Sequence, residues 1–330
     1  MGFANFVGNP KAVDRLVRKL HEGRFPHGLI FSGPEGLGKH TLALMIAKAL
    51  NCTARLGGPT TEFCDECSNC RKINSGSHPD VMTISVEDEA TQIKIAQIRR
   101  ILGVIDFQPL EGRNKVFIID PADLLNAEAA NALLKGLEEP PSNTYFILVT
   151  VNVHELLLTV RSRSQVYHFT PLTLSEIRQH GITDELTIRW SLGSIGRARR
   201  LDLSELKAER GIVMEFLETV FTAAEDQFHE VLGFSAEIGR AKEEFESRLA
   251  LFAMLITDLL YIKHDLPQKI VSLDIQDRLT QLASRLTVEQ LLRISDFLGT
   301  VESGLKSNIN RQMMTDMLAL SASEILHGLS

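Results

Sequence analysis

Gly28-Leu-Ile-Phe-Ser-Gly33-Pro-Glu-Gly-Leu-Gly38-Lys39 is the stretch on which the fold turns. Its first five residues form a short apolar run that reads as a buried strand and stops at a glycine. Good helix formers follow from Thr41 to Leu50. Gly33-x-x-x-x-Gly38-Lys39 therefore fits a phosphate-binding loop in its required setting, with a strand before it and a helix after. In such a loop glycines let backbone N–H groups converge on phosphate oxygens, the helix N-terminus adds positive potential, and Lys39 would reach the β/γ-phosphates. Gly33, Gly36, Gly38, Lys39, His40 and Thr41 are the candidate contacts with ATP or ADP.

Two departures touch one step. The position after the lysine, normally Ser or Thr to hold Mg²⁺, is His40, and Thr41 comes one residue too late. An imidazole is a poor ligand for a hard cation, so a bound magnesium is in question. The apolar run Val116–Ile119 ends at Asp120, well placed as the strand-end aspartate of such a site, but Pro121 stands where a catalytic glutamate is expected. Nothing there readily polarises an attacking water. The reading is nucleotide binding with little or no hydrolysis.

Outward from the loop, a polar and alanine-rich helix follows Asp120, extends to Glu139 and is stopped by Pro140-Pro141, and Tyr145–Val151 is again strand-like. Continuous apolar strands alternating with helices predict a parallel sheet covered on both faces. After Pro171 the pattern is helical only. Short helices are expected over Leu174–His180 and Thr183–Leu192, with another ending near Leu203. From Leu206 to Leu326 helical periodicity continues, with Ile212, Phe216, Leu217 and Val220 on one face, and likewise Leu291, Leu292, Ile294 and Leu298. The expected class is an α/β P-loop core, a small helical unit and a larger all-α domain, divided at 1–168, 169–204 and 205–330.

All four cysteines of the chain fall at 52, 64, 67 and 70. Cys64-x-x-Cys67-x-x-Cys70 with Cys52 twelve residues earlier gives four thiolates that a loop can fold around one tetrahedral zinc. The alternatives are four reduced and unconnected thiols or an iron–sulfur cluster, although the ferredoxin-type run continues to a further Cys and Pro that are missing here. With every position taken by cysteine, the site reads as structural.

The 330 residues carry a net charge of −7, with 44% hydrophobic and 23% charged residues. This is ordinary globular composition and argues against a protein that coats nucleic acid, which needs Lys and Arg against phosphate. A zinc nucleic-acid module using Arg55, Arg71 and Lys72 is opposed by Glu62, Asp65 and Glu66 beside them. The start MGFANFVGNP lacks the basic and apolar regions of a signal peptide, and Leu249–Ile262 is too short to span a bilayer and is interrupted by Asp258. The expected location is the cytoplasm, away from membranes.

Taken in order, several motifs resemble the δ′ family of bacterial DNA polymerase III clamp-loader subunits, which are AAA+ proteins. They are Phe6-Val7-Gly8, Pro26-His27-Gly28 with the loop, the cysteine insertion, and Asn131-Ala-Leu-Leu-Lys-Gly-Leu-Glu-Glu-Pro-Pro141. Arg161-Ser162-Arg163-Ser164 is similar to the family's Ser-Arg-Cys motif, with Ser164 for Cys, and Gly193-Ser194-Ile195-Gly196-Arg197-Ala198 to its lid segment. The resemblance implies a RecA-like core with the zinc module, a helical lid and a helical collar. It implies that the nucleotide base lies near Val7 and Gly8, that Arg197 lies near the phosphates, and that Arg163 serves a neighbour's nucleotide as an arginine finger. The expected partners are the τ/γ and δ subunits in a hetero-pentamer, with the sliding clamp and primed DNA met through the complex. The subunit would act as a stator in clamp loading, while the polymerase reaction belongs to another subunit of the holoenzyme. The rival reading is a hydrolysing motor of the τ/γ kind.

Overall fold

A computed structural model describes residues 2–54, 62–87, 90–222 and 242–305, together with 313, 316, 317, 320 and 321. Arg55 lies outside these, as do parts of the helical stretch expected up to Leu326. The chain divides into two compact units, Met1–Ile182 with Leu192–Arg199, and Thr183–Ser191 with Arg200–Ser330.

The first unit is built on five parallel strands: β1 (Gly28–Ser32), β2 (Val81–Ile84), β3 (Lys115–Ile119), β4 (Thr144–Thr150) and β5 (Gln165–His168), in the order β2-β3-β4-β1-β5. Every residue of β1 and β3 is buried, as their unbroken apolar runs predict. Side chains alternate between two cores. Leu29, Phe31, Val116, Ile118, Ile147 and Val149 face one; Ile30, Phe117, Ile119, Phe146 and Leu148 face the other. The first core is closed by α1 (Pro10–His21), α2 (Lys39–Asn51) and α3 (Ser68–Asn74). The second is closed by α4 (Ile95–Leu102), α5 (Ala127–Glu138) and α6 (Leu158–Ser162). Burying each such side chain contributes about 1.5–3 kcal/mol, which is why the central strands carry almost no polar residues.

Helix ends follow local chemistry. Asn126 caps α5 by accepting the Ala129 amide at 2.8 Å, so that helix begins at Ala127. The helix α7 (Leu174–Gln179) starts with a capping box, Thr173 and Glu176 each accepting the other's backbone amide.

The second unit gathers α8 (Glu185–Trp190), α10 (Leu203–Thr222), α11 (Lys242–Lys263), α12 (Gln276–Ser284) and α13 (Val288–Leu305) around one core; α9 (Ile195–Arg200) belongs mainly to the first unit. Phe216, Leu217 and Val220 are buried in it, with Ile212 packed alongside, as their spacing predicts. Leu292 is a correction: Leu291, Ile294 and Leu298 face inward but Leu292 is 50% exposed, because one residue turns a helix by about 100° and carries it off the stripe. Buried Asp258 accepts the Val271 and Ser272 amides at 2.8 and 2.9 Å, pinning the turn before α12. No helix among the described residues is long and apolar enough to cross a membrane.

Candidate nucleotide and metal sites

The glycine loop joins the C-terminal end of β1 to α2. Gly36 has φ +74° and Gly38 φ +83°, and a Cβ at Gly36 would collide with Ser194 Oγ. Only glycine suits both demands at that point. Gly38 is also the N-cap of α2, offers no side-chain oxygen, and no acidic residue occupies the first turn. The first amides of α2 are thus left to an anion, which the helix dipole favours.

Lys39 is 5% exposed and folds back on the loop, donating to Gly33 O and to Pro34 O, the latter at 2.6 Å. Burial lowers its ammonium from the ordinary 10.5, while Asp120, Glu35 and Asp123 pull the other way. The Gly33 amide donates to Thr150 O at 3.2 Å, tying the loop to the end of β4.

The segment 194–197 meets the loop directly. The Gly196 amide donates to Gly36 O at 3.1 Å, and the Arg197 amide donates to Ser194 Oγ at 3.0 Å beside it. Val7 and Gly8 line a groove of about 630 Å³ together with Phe3, Phe6, Glu176 and His180. Phe6 lies against Gly38, with its ring edge 3.0 Å from where a Cβ would stand. Ser194 and Phe6 are loop neighbours that sequence reasoning did not single out as site residues. Both stood inside quoted motifs, but only the fold sets them against glycines. Thr41 is exposed on α2.

His40 and Asp120 are brought together. Asp120 follows β3, and its Oδ2 lies 2.8 Å from His40 Nδ1. Mg²⁺ demands near-octahedral oxygen ligands at about 2.0–2.1 Å. Here the helix offers an imidazole in place of a hydroxyl, and that ring already hydrogen-bonds the carboxylate. The residues present do not fit magnesium.

Arg163 sits at the other end of the sheet. It follows α6 and precedes β5, beside Gly28 at the start of β1, whose Cβ position is 3.0 Å from Arg163 O. Five residue steps along β1 separate Gly28 from Gly33, a rise of roughly 16 Å. Arg163 Nη2 donates to Glu138 Oε1 at 2.7 Å, and Nη1 donates to Thr159 O at 3.1 Å.

The cysteines converge. Sγ atoms of Cys52, Cys64, Cys67 and Cys70 all lie within 4.8 Å of one another, with Cys52 3.6 Å from Cys64 and 4.0 Å from Cys67. Tetrahedral Zn–S bonds of about 2.3 Å place sulfurs roughly 3.8 Å apart, so the set fits zinc. The Cys67 amide donates to Cys64 Sγ at 3.2 Å and the Cys70 amide to Cys67 Sγ at 3.5 Å, which favours thiolates. Burial opposes ionisation of Cys67, but hydrogen bonds from Thr53 and Cys70 outweigh it and bring the thiol to about 5; burial raises Cys52 and Cys70. The module is fastened to α2 by Lys48, which pairs with Asp65 at 2.5 Å and lies over the Phe63 ring. Lys72 is held by Glu111 at 2.5 Å, which removes one of the cations a nucleic-acid reading needs.

Residues 8–173 match the family described as "DNA polymerase III, delta subunit", and 208–323 match "DNA polymerase III, delta subunit, C terminal". The DNA polymerase III subunit tau/gamma of Haemophilus influenzae is 37% identical over 178 residues, 54% of this chain but 25% of that protein. The chain thus spans about a quarter of the tau/gamma relative's length. DNA polymerase III subunit delta′ of Bacillus subtilis is 29% identical over 96% of both chains. Among solved structures, a DNA polymerase III gamma subunit-related protein of Thermotoga maritima is 19% identical with a TM-score of 0.44, covering 95% of this chain and 99% of that one.

Proposed function

Because the chain belongs to the DNA polymerase III delta-subunit family, we propose that it is a δ′-type stator of the clamp loader that lends Arg163 to a neighbouring ATPase subunit. The observation that carries this reading is the separation of Arg163 from its own glycine loop by the length of β1. A guanidinium so placed has no route to its own nucleotide. At a subunit boundary it would stabilise charge on the phosphoryl group held by the next subunit. In this reading residues 1–168 form the AAA+ core, 169–204 the lid and 205–330 the collar that joins τ/γ and δ in a hetero-pentamer. The sliding clamp and primed DNA are met through that assembly, in the cytoplasm.

Val7, Gly8, the loop from Gly33 to Thr41, Asp120 and Arg197 would surround ATP or ADP. Cys52, Cys64, Cys67 and Cys70 would hold a zinc ion that staples the loop after α2 and takes no part in chemistry. His40 is paired with Asp120, and Pro121 stands next to it where a catalytic glutamate would be expected. This favours a subunit that binds nucleotide without hydrolysing it.

The second reading is a motor of the τ/γ kind, favoured by the 37% identity to the tau/gamma relative. Clamp- and primed-DNA-stimulated ATPase of the reconstituted complex separates the two. Loss with Arg163→Ala and retention with Lys39→Ala supports the stator. Loss with Lys39→Ala as well means that this subunit's own nucleotide matters and favours the motor, and no loss with either variant puts the δ′ assignment itself in question.

A further inference from the structure

The disagreement between this loop and magnesium has a consequence for what the loop binds. We infer that the loop takes a nucleoside diphosphate or triphosphate without a divalent cation, because the position after Lys39, where a hydroxyl would help to hold the ion, carries the imidazole of His40, and that imidazole is hydrogen-bonded to Asp120. The inference rests on the nucleotide-binding reading above.

His40 lies in the first turn of α2, next to Lys39, and its Nδ1 reaches Asp120 Oδ2 at 2.8 Å. A hydrogen bond of that length engages one of the two oxygens of the carboxylate that would otherwise be offered to magnesium. The imidazole itself is a ligand for zinc or copper rather than for a hard, oxygen-seeking ion. Placing magnesium there would require breaking the pair and leaving a half-buried carboxylate to be satisfied again. Phosphate charge can be met by other groups. Lys39 is buried at the loop, Arg197 has its backbone beside Gly36, and the N-terminus of α2 carries no acidic residue in its first turn. Of the nearby carboxylates, Asp123 accepts the Val151 amide at 3.3 Å, Asp120 is paired with His40, and Glu35 of the loop lies close enough to act on both Lys39 and Arg197. The cationic work normally shared with a metal thus falls to Lys39, Arg197 and helix amides.

The test is equilibrium binding of N-methylanthraniloyl-ADP to the full chain, followed by fluorescence, with excess Mg²⁺ and with EDTA. The wild-type dissociation constant is expected to agree within about threefold between the two conditions. His40→Thr, which restores the hydroxyl, is expected to tighten by about tenfold or more on adding Mg²⁺. Wild-type binding that needs magnesium would overturn this inference while leaving nucleotide binding intact. Absence of binding in both conditions would overturn the nucleotide reading itself, and this inference with it. A His40→Thr variant as indifferent to magnesium as the wild type would show that the imidazole is not what excludes the ion.

Discussion

Arg163 donates to Glu138 across 2.7 Å, joining the residue after α6 to the last turn of α5. Both side chains are substantially exposed, 36% for Arg163 and 47% for Glu138. An exposed pair of this kind contributes about 0–1 kcal/mol, so the arginine is parked at little cost and can be withdrawn by a stronger anion. Glu138→Gln should leave stability within about 1 kcal/mol of wild type and should not lower the ATPase of the assembled complex. Arg163→Ala should lower that ATPase, with turnover at the one neighbouring site it serves falling by about 10³-fold or more if the arginine acts in trans. Phosphate release by the two reconstituted complexes, with urea unfolding of the isolated variants, provides the comparison.

The purified chain alone should release no phosphate from ATP above background. His40 occupies Asp120, and Pro121 follows it where a water-orienting carboxylate would be needed. Turnover that disappears in Lys39→Ala would identify a working hydrolytic site and contradict this expectation.

One zinc per chain is expected from four sulfurs within 4.8 Å of one another. Elemental analysis of protein purified without added metal should find zinc at about equimolar ratio; iron with sulfide would instead assign the cluster to the alternative chemistry. Cys70→Ser should lose the metal and lower the thermal midpoint, since Cys70 is fully buried in the same core as α2 and α3.

Acid should weaken the fold through Asp80. Burial alone would raise its carboxyl, but the amides of Gly112, Leu110 and Glu111 donate to it at 2.7–2.8 Å and hold it below the ordinary 3.8. The folded state therefore prefers the ionised form. Asp80 adds stability above pH 3.8, and that contribution is lost as the pH falls below 3.8 through the depressed value. Asp80→Asn should cost about 1.5–3 kcal/mol or more at neutral pH, the worth of hydrogen bonds to a charged group. It should also flatten the acid limb of a urea-midpoint profile measured against pH.

How much of this was legible without coordinates varies by element. β1, β3 and β4 announced themselves because strands buried on both faces are continuous apolar runs. β2 and β5 did not: each is a four-residue edge strand, and Gln165–His168 carries polar residues because one side of an edge strand meets solvent. Leu292 was misplaced by reading neighbouring residues as one face.

The sequence by itself determined the local chemistry: the strand–glycine–helix unit, the three-residue spacing of cysteines, the imidazole after Lys39, and family membership through motifs along the chain. These depend on residues close in the chain, whose geometry is dictated by backbone dihedrals and helical or pleated repeat. Only the tertiary structure decided that His40 meets Asp120 eighty residues away, that Ser194 closes on Gly36, and that Arg163 stands a strand's length from its own loop. The reason is register. The parallel pairing of β1 with β4 and β5 and of β3 with β4 sets which loops share an end of the sheet. That pairing is fixed by packing both faces of the sheet at once, a condition no local pattern contains.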